Sequence, residues 1–173
     1  MSCVMGLDIA VRHTGIIVLD NKGKLLSNGT IKTKCGDTVE SEFRKYEGIS
    51  RLLNLWKPSI CVIENYSYGS VRNLKAITMN AELTGLIKYW VYKQGIKLYL
   101  VAPSQLKKYV SGNGKTEKAF IPMFVKKHFD IEFDSTDEVD GFVLAKIGVA
   151  LQNKSEKLTG YQKDVLEKIQ EVK

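Results

Sequence analysis

Two acids, Asp137 and Asp140, stand three residues apart at the start of a strongly apolar segment. At that spacing on a helix, both side chains project from the same face. Ser135 precedes them at the position of an N-cap, and Glu138 completes the pattern of a capping box. Two close carboxylates on a rigid element suit a divalent cation. The alternative is that acids in a first helical turn only complement the helix dipole, and this segment alone does not decide between the two.

Two further acids end apolar segments that have the length of strands. Asp8 closes the segment 3–9, and Glu64 interrupts the segment 60–66 near its end. Carboxylates are seldom buried without a partner in such apolar surroundings. Adjacent strand ends at one sheet edge would bring the two acids together, and a helix packed across that edge could add the pair described above. The alternative for Glu64 is an edge glutamate that faces water.

Four converging carboxylates without histidine or cysteine would form a hard, oxygen-donor site. Such a site suits Mg²⁺ or Mn²⁺ and is unsuited to structural zinc. It favours phosphoryl chemistry, in which two ions roughly 3.5 to 4 Å apart activate a water and stabilise the leaving oxygen. His13 and His128 are too few and too isolated to support a histidine-based mechanism.

Lysines are concentrated next to these acids. Residues 104–127 carry six lysines, whereas residues 128–141 carry six acids and no lysine or arginine, within a chain of net charge +7. A basic surface beside an acidic pocket points towards nucleic acid, although the charge alone favours an ordinary solvated lysine face. Residues 111–115 form a glycine-containing segment, called the glycine loop below. The lysines around it could bind phosphates; they are Lys107, Lys108, Lys115 and Lys118.

The glycine loop does not form a nucleotide-binding P-loop. Gly114, Lys115 and Thr116 match the end of that pattern, but its first glycine would fall at Tyr109 and no strand immediately precedes it.

A loop that follows Glu64 carries aromatic and basic side chains, namely Tyr66, Tyr68 and Arg72. An aromatic side chain there could stack on bases, which is worth on the order of 1 to 3 kcal/mol per base. The alternative is that the two tyrosines only cap the sheet.

The order of elements predicts an α/β fold with a mixed five-stranded sheet flanked by helices. Three antiparallel strands come first, and two later strands, each reached by a helical crossover, should be parallel. The strands are predicted at 3–9, 15–19, 24–33, 60–66 and 97–101, and the main helices at 37–56, 74–94, 103–110, 119–128 and from 135 onwards.

A length of 173 residues with 44% hydrophobic residues fits one globular domain, placed at residues 1–153. Residues 154–173 are predicted to form a C-terminal amphipathic helix that docks on that domain through one apolar stripe. The stripe consists of Tyr161, Val165, Ile169 and Val172.

The three cysteines are Cys3, Cys35 and Cys61, and the first and last lie in apolar strands. They are interpreted as thiols of a reducing compartment rather than as a disulfide framework or a zinc site. No signal sequence and no segment able to span a bilayer is recognised, so a cytoplasmic location is expected.

Taken together, the motifs resemble those of RuvC-type Holliday junction resolvases over about residues 2–150. The resemblance is carried by the segments 6–9, 62–65, 102–108, 112–118 and 137–141, in the order and at the spacing of that family. Each motif is weak, whereas the set is specific. The tyrosine-rich segment 64–69 resembles phage-encoded members more than the bacterial enzyme, which would place the protein in the host cytoplasm.

The resemblance implies an RNase H-like fold and a homodimer with two active sites, joined through the helix 74–94. It also implies magnesium-dependent nicking of two opposed strands of a four-way DNA junction. The family's four metal-binding acids correspond to Asp8, Glu64, Asp137 and Asp140, and its functional lysines to Lys107 and Lys118. One departure is Ser67, which stands where the bacterial enzyme has a phenylalanine wedge, so Tyr66 or Tyr68 must replace it or the wedge is absent.

Three other classes of protein would explain part of this pattern. An RNase H-like nuclease acting on flaps, forks or RNA would share the four carboxylates, and the lysine motif favours junctions over these substrates. A non-cleaving junction-binding protein would not need all four acids. A sugar-kinase or actin-like ATPase shares the spacing from Asp8 to Gly15, but that fold needs far more than 173 residues.

Overall fold

A computed structural model describes residues 2–10, 12–33, 39–65, 74–153 and 157–172 of the chain. The strands are β1 (Cys3–Ile9), β2 (His13–Asp20), β3 (Leu25–Lys32), β4 (Ile60–Glu64) and β5 (Lys97–Val101). The α-helices are α1 (Val39–Trp56), α2 (Leu74–Lys93), α3 (Pro103–Ser111), α4 (Ile121–Phe129), α5 (Thr136–Gln152) and α6 (Gly160–Leu166), and a short 3-10 helix (Lys118–Phe120) precedes α4.

The five strands form one mixed sheet in the order β3-β2-β1-β4-β5. β1 and β3 both pair antiparallel to β2, whereas β4 pairs parallel to β1 and β5 parallel to β4. The predicted α/β class and the mixed sheet, with three antiparallel strands followed by parallel ones, are therefore confirmed. The parallel pairing is required by topology, because α1 and α2 carry the chain back across the sheet before β4 and β5.

Each face of the sheet is covered by its own set of helices. Alternate residues of β1 divide between the faces: Val4 packs with α3, α4, α5 and α6, whereas Met5 and Leu7 pack with α1 and α2. By the same alternation, Gly6 and Asp8 lie on the face of Val4, and Glu64 lies on the face of Val62. Both strand-borne acids are thus directed to the face that α5 covers.

Glycines let α5 approach the sheet unusually closely. A Cβ atom at Gly6 would lie 2.1 Å from the carbonyl oxygen of Gly141, and one at Gly15 would lie 1.9 Å from that of Asp137. Gly15 is also the ladder partner of Asp8. The start of α5 is therefore set directly against the part of the sheet that carries the first acid, and only residues without a side chain fit there.

The N-cap of α5 differs in part from the prediction. Ser135 caps the helix as expected, since its hydroxyl accepts a hydrogen bond from the backbone N–H of Glu138 at 3.2 Å. The predicted capping box is wrong, because the Glu138 side chain turns to the sheet and accepts a bond from Asn28 of β3 at 3.4 Å. Glu138 is buried against β3, so its side chain does not bond the backbone N–H of Ser135 as a capping box requires.

The C-terminal helix docks on the domain but is shorter than predicted. α6 spans only Gly160–Leu166, packs near α3, and buries Val165 and, beyond its end, Ile169 in the core. The chain then extends beside β5, where Val172 N–H donates to Leu98 at 2.9 Å and Glu171 bridges Tyr99. The apolar stripe to Val172 thus belongs partly to an extended segment.

Cys3 and Cys61 are buried free thiols, as predicted, and Cys35 lies outside the described residues. Within the described ranges, no helix is both long enough and apolar enough to cross a membrane.

Candidate active site

Three acids meet where β1 and β4 end. Asp8 and Glu64 follow the paired residues Leu7 and Ile63 of two parallel neighbours, so their carboxyl groups lie side by side and share a hydrogen bond. Asp140, from the first turns of α5, faces both of them closely enough to affect their ionisation. Asp8 is 5% exposed and Asp140 is 4% exposed. The structure therefore brings these two strand-borne acids and one helix-borne acid together, as the sequence predicts.

Burial and mutual repulsion oppose the ionisation of these carboxyl groups. Burial, followed by the charges of Glu64 and Asp140, raises the pKa of Asp8 to about 8. Burial and the charge of Asp140 also raise the pKa of Glu64. The raised pKa of Asp8 favours its protonated form, which can donate the hydrogen bond that joins it to Glu64. Among the described residues, the positive charge near the cluster does not offset this burial and repulsion.

Lys118 supplies part of that charge. Its Nζ lies 2.6 Å from Oδ2 of Asp140. Burial opposes the charged ammonium, but the hydrogen bond to Asp140 and the charges of Asp8 and Glu64 prevail and raise the pKa of Lys118. Burial raises the pKa of Asp140 even though this bond to Lys118 opposes the rise. Lys118 is thus a permanently charged side chain that projects into the acid cluster.

The glycine loop holds Lys118 in place through its own hydrogen bonds. The hydroxyl groups of Ser111 and Thr116 lie 2.8 Å apart, and the Asn113 carboxamide accepts from the N–H of Lys115 at 3.0 Å. A Cβ atom at Gly114 would lie 2.8 Å from the carbonyl oxygen of Ser104, so the loop packs tightly on the start of α3. The loop is thus closed by its own hydrogen bonds and packed on α3 directly before the 3-10 helix that begins at Lys118.

The other predicted lysines lie in different surroundings. Burial raises the pKa of Glu64 and of Asp140, and the positive charge of Lys107 partly opposes that rise in both. Lys108 points elsewhere and pairs with Asp164 of α6 at 3.1 Å. Lys115 is exposed in the glycine loop. Of the four predicted lysines, Lys107 and Lys118 are therefore the two that adjoin the acid cluster. Tyr66, Tyr68 and Arg72 lie outside the described residues.

Asp137 lies beside the cluster but has neighbours of its own, His13 and Lys45. Its Oδ2 is 3.7 Å from Nδ1 of His13, and its charge acts on the buried Lys45 of α1 and on Asp140. Sequence reasoning set His13 aside as isolated and did not consider Lys45. The spacing of Lys45 four and eight residues before Ile49 and Leu53 was the available signal, because it places the lysine on the buried stripe of α1.

A small cavity adjoins Glu64 at the strand ends. It has a volume of about 160 Å³ and lies between the ends of β1 and β4, the buried side of α2 and the start of α3. Asn80 lines it, and its Oδ1 atom is buried without a hydrogen-bond partner in the described structure.

The donor set fits a hard divalent cation, although the acids are not arranged as a ready ligand set. In the part of the chain that the structure describes, no three histidine, cysteine or acidic side chains are placed so that they could hold one ion. The reason lies in the contacts above: Asp8 and Glu64 bond each other, and Lys118 takes Asp140. Cations would relieve the repulsion that now protonates Asp8, and carboxylate oxygens are the ligands that such ions prefer.

The family model and two curated relatives that match this chain give one family. The family model described as crossover junction endodeoxyribonuclease RuvC matches residues 4–147. The RuvC of Caldanaerobacter subterraneus subsp. tengcongensis is 30% identical over 143 residues, which cover 79% of this chain and 84% of that protein. The RuvC of Rhodopirellula baltica is 25% identical over 158 residues, which cover 88% of each chain.

Solved structures show the same fold. Thermus thermophilus RuvC superimposes with a TM-score of 0.73 at 18% identity, covering 91% of this chain and 99% of that one. The structure of T. thermophilus RuvC in complex with a Holliday junction substrate gives a TM-score of 0.70 at 20% identity, covering 84% of this chain and 91% of that one. These matches confirm the RNase H-like fold expected from the sequence.

Proposed function

Because this chain belongs to the RuvC family of crossover junction endodeoxyribonucleases, we propose that it resolves four-way DNA junctions by paired nicks in opposed strands. The chain is an endodeoxyribonuclease of this class, and its site is the acid cluster at the ends of β1 and β4. The observation that carries the proposal is the meeting of Asp8, Glu64 and Asp140, from three separate elements, around the ammonium of Lys118.

The family depends on divalent metal ions, and the acids are the side chains proposed to hold them here. Asp8, Glu64, Asp137 and Asp140 would bind two Mg²⁺ ions, with Mn²⁺ able to replace them. When bound, such ions polarise water and neutralise charge on the phosphate oxygens of a phosphodiester. No histidine or cysteine nucleophile is needed, because the carboxylates position the reacting groups and set the charge.

The lysines would act on the DNA phosphate. Lys118 is proposed to leave Asp140 and donate to the scissile phosphate, where its charge stabilises the developing negative charge. Lys107, whose charge already reaches two of the acids, would attract the phosphate to the same place. Lys115 extends this basic surface along the glycine loop, and Lys108 would have to exchange Asp164 for phosphate to join it.

A homodimer is proposed through the outer face of α2. The inner face of this helix buries Leu83, Ile87 and Val91, whereas Leu86, Tyr89 and Tyr92 are large side chains that the sheet leaves exposed. A helix that is apolar on both sides requires a second partner. Two copies joined in this way would present two active sites, which paired nicking of a junction requires.

Other parts of the proposal rest on sequence alone. Tyr66 or Tyr68, with Arg72, would stack on bases beside the cut, and the segment 64–69 favours a phage-encoded member. Residues 1–153 would form the nuclease domain and residues 154–173 an extension to it.

Cleavage of defined substrates tests the proposal. The purified protein and its Asp8→Asn variant would be incubated with labelled four-way junction, flap, fork and RNA–DNA hybrid, with and without Mg²⁺, and the products separated on denaturing gels. Symmetric nicks in the junction, dependent on Mg²⁺ and absent in the variant, are expected. Junction binding without cutting would indicate a binding protein, preferred cutting of flaps or hybrid a different nuclease, and equal cutting by the variant a misplaced site.

A further inference from the structure

Lys45 occupies a position where a lysine is rarely found. It is 1% exposed and lies on the stripe of α1 that also buries Ile49 and Leu53. Burying an ammonium group costs several kcal/mol unless it is paired and hydrogen-bonded. Methionine would fill such a position at the edge of an apolar core without that cost. A specific use for the charge or for its hydrogen bonds is therefore expected.

The ammonium group of Lys45 donates to the carbonyl oxygen of Ala10. Ala10 belongs to the turn between β1 and β2, two residues beyond Asp8, and its carbonyl also accepts from the Thr14 hydroxyl at 3.4 Å. Thr14 is itself fully buried. Lys45 thus fastens α1 to the segment of backbone that fixes the direction in which Asp8 leaves its strand.

Two acids compensate the buried charge. Burial lowers the pKa of Lys45 to about 8, whereas the charges of Asp137 and Glu42 favour the ammonium form. Asp137 stands at the start of α5, which contacts the same turn region because its carbonyl packs against Gly15. Lys45 of α1 therefore contacts the β1–β2 turn, which directly follows the strand of Asp8, and lies close enough to the start of α5 for the charge of Asp137 to act on it.

We propose that Lys45 is a positioning residue of the active site, whose ammonium anchors the β1–β2 turn and thereby holds Asp8 and Asp137 at the separation that catalysis requires. The expected effect on catalysis rests on the proposed nuclease function, whereas the anchoring of the β1–β2 turn does not. Lys45 would not contact DNA or the reacting atoms. Its effect would be transmitted through the Ala10 carbonyl and through its attraction to Asp137.

The kinetic test replaces Lys45 and compares turnover with binding. Lys45→Met and Lys45→Gln both remove the charge, and kcat for junction nicking should fall roughly 10-fold or more, since small misplacements of reacting groups have effects of that size. Junction affinity without Mg²⁺ should stay within about 2-fold, because the positions that would bind DNA are unchanged. Lys45→Arg, which keeps both charge and donors, should recover most of the lost turnover.

A matched control separates positioning from general packing. Lys146 is a half-buried lysine of α5, whose Nζ lies 5.0 Å from the centre of the Phe129 ring, away from the acids. Lys146→Met should leave kcat unchanged. An unchanged kcat in both neutral Lys45 variants, or an equal fall in Lys146→Met, would overturn the inference. If one neutral variant does not fold, the other decides.

Hydrogen–deuterium exchange provides a readout that needs no activity. In the metal-free protein, Lys45→Met should accelerate amide exchange in the β1–β2 turn by about 10-fold while β4 and β5 keep their protection. Uniform acceleration throughout the sheet, or none in the turn, would contradict the proposal. If the unaltered protein fails to cut junctions but the turn loosens as expected, the proposed function fails and the positioning role of Lys45 stands.

Discussion

The ammonium nitrogen of Lys118 lies 2.6 Å from Oδ2 of Asp140, although the two residues come from separate helices and Asp140 is almost fully buried. In the metal-free protein, this ion pair gives one acid of the cluster its counter-charge. The repulsion between Asp8 and Glu64 is reduced differently, by the hydrogen bond that joins their carboxyl groups. If Asp8, Glu64 and Asp140 hold metal ions as proposed, those ions would supply positive charge to the acids, and Lys118 would then be available to the substrate phosphate.

Replacement of Lys118 should therefore damage turnover much more than folding. We expect Lys118→Ala to lower kcat for junction nicking by roughly 10² to 10³, because it removes a charge aimed at the site where negative charge develops. The thermal unfolding temperature should also fall, because the buried Asp140 loses its partner, but the variant should still fold since the Lys118 side chain is itself about half exposed. Single-turnover kinetics at saturating enzyme would measure the effect.

Lys127→Ala is the matched control for this prediction. Lys127 is an exposed lysine of α4, in the same basic region of the sequence but outside the acid cluster. Its replacement should leave turnover unchanged. Similar losses in the two variants would mean that the lysines act only through overall charge.

The stability of the metal-free protein should fall as pH rises, in part because of Asp8. Its folded-state pKa of about 8 lies above the value of about 4 for an unfolded aspartate. Below pH 4 the group is protonated in both states and has no effect. Between pH 4 and 8 the unfolded state ionises first, so the folded state loses stability, and above pH 8 the loss is complete.

Asp8→Asn should remove this pH-dependent loss. In EDTA at pH 8 the variant should be more stable than the unaltered protein by at least ~1 kcal/mol, and the difference should shrink towards pH 4. Urea unfolding at several pH values measures this. The prediction is wrong if the variant is less stable than the unaltered protein at pH 8, or if the difference in stability is the same at pH 4 and at pH 8. Either result would show that repulsion does not raise the pKa of Asp8.

Much of the fold could be predicted because its signals are local. Strand alternation and turns defined the hairpin, and the acids interrupting β1 and β4 were visible because Asp8 and Glu64 stand in otherwise apolar strands. The joining of the acids followed from parallel strand ends. Lys118 and Lys107 were marked out by the family motif, and the structure shows what distinguishes them from Lys108, which pairs with Asp164.

The remaining features depend on contacts between distant segments. Glu138 leaves the predicted capping box because Asn28, 110 residues away, offers a partner. The need for glycine at Gly6 and Gly15 arises only when α5 is set against them. Nothing in the local sequence around either glycine indicates that contact, since both occur in ordinary strand segments.

Gly15→Ala should therefore disturb the site through the backbone. The added Cβ atom would lie 1.9 Å from the carbonyl oxygen of Asp137, so α5 or β2 must move. We expect a loss of about 1 to 3 kcal/mol in the free energy of unfolding, as for overpacked cores, together with loss of cleavage. Gly29→Ala is the control, because a Cβ atom there meets nothing within 4 Å. It should stay within about 0.5 kcal/mol of the unaltered protein.

The outer face of α2 should govern the association of two copies. Tyr89 is 61% exposed at the middle of that face, and a carboxylate there would be buried without a partner if two such helices packed together. We expect Tyr89→Glu to convert a dimer into a monomer in size-exclusion chromatography with light scattering, and to lose paired nicking while the fold is kept. Leu55→Glu, on the exposed side of α1, should remain dimeric. A dimeric Tyr89→Glu protein would place the interface elsewhere.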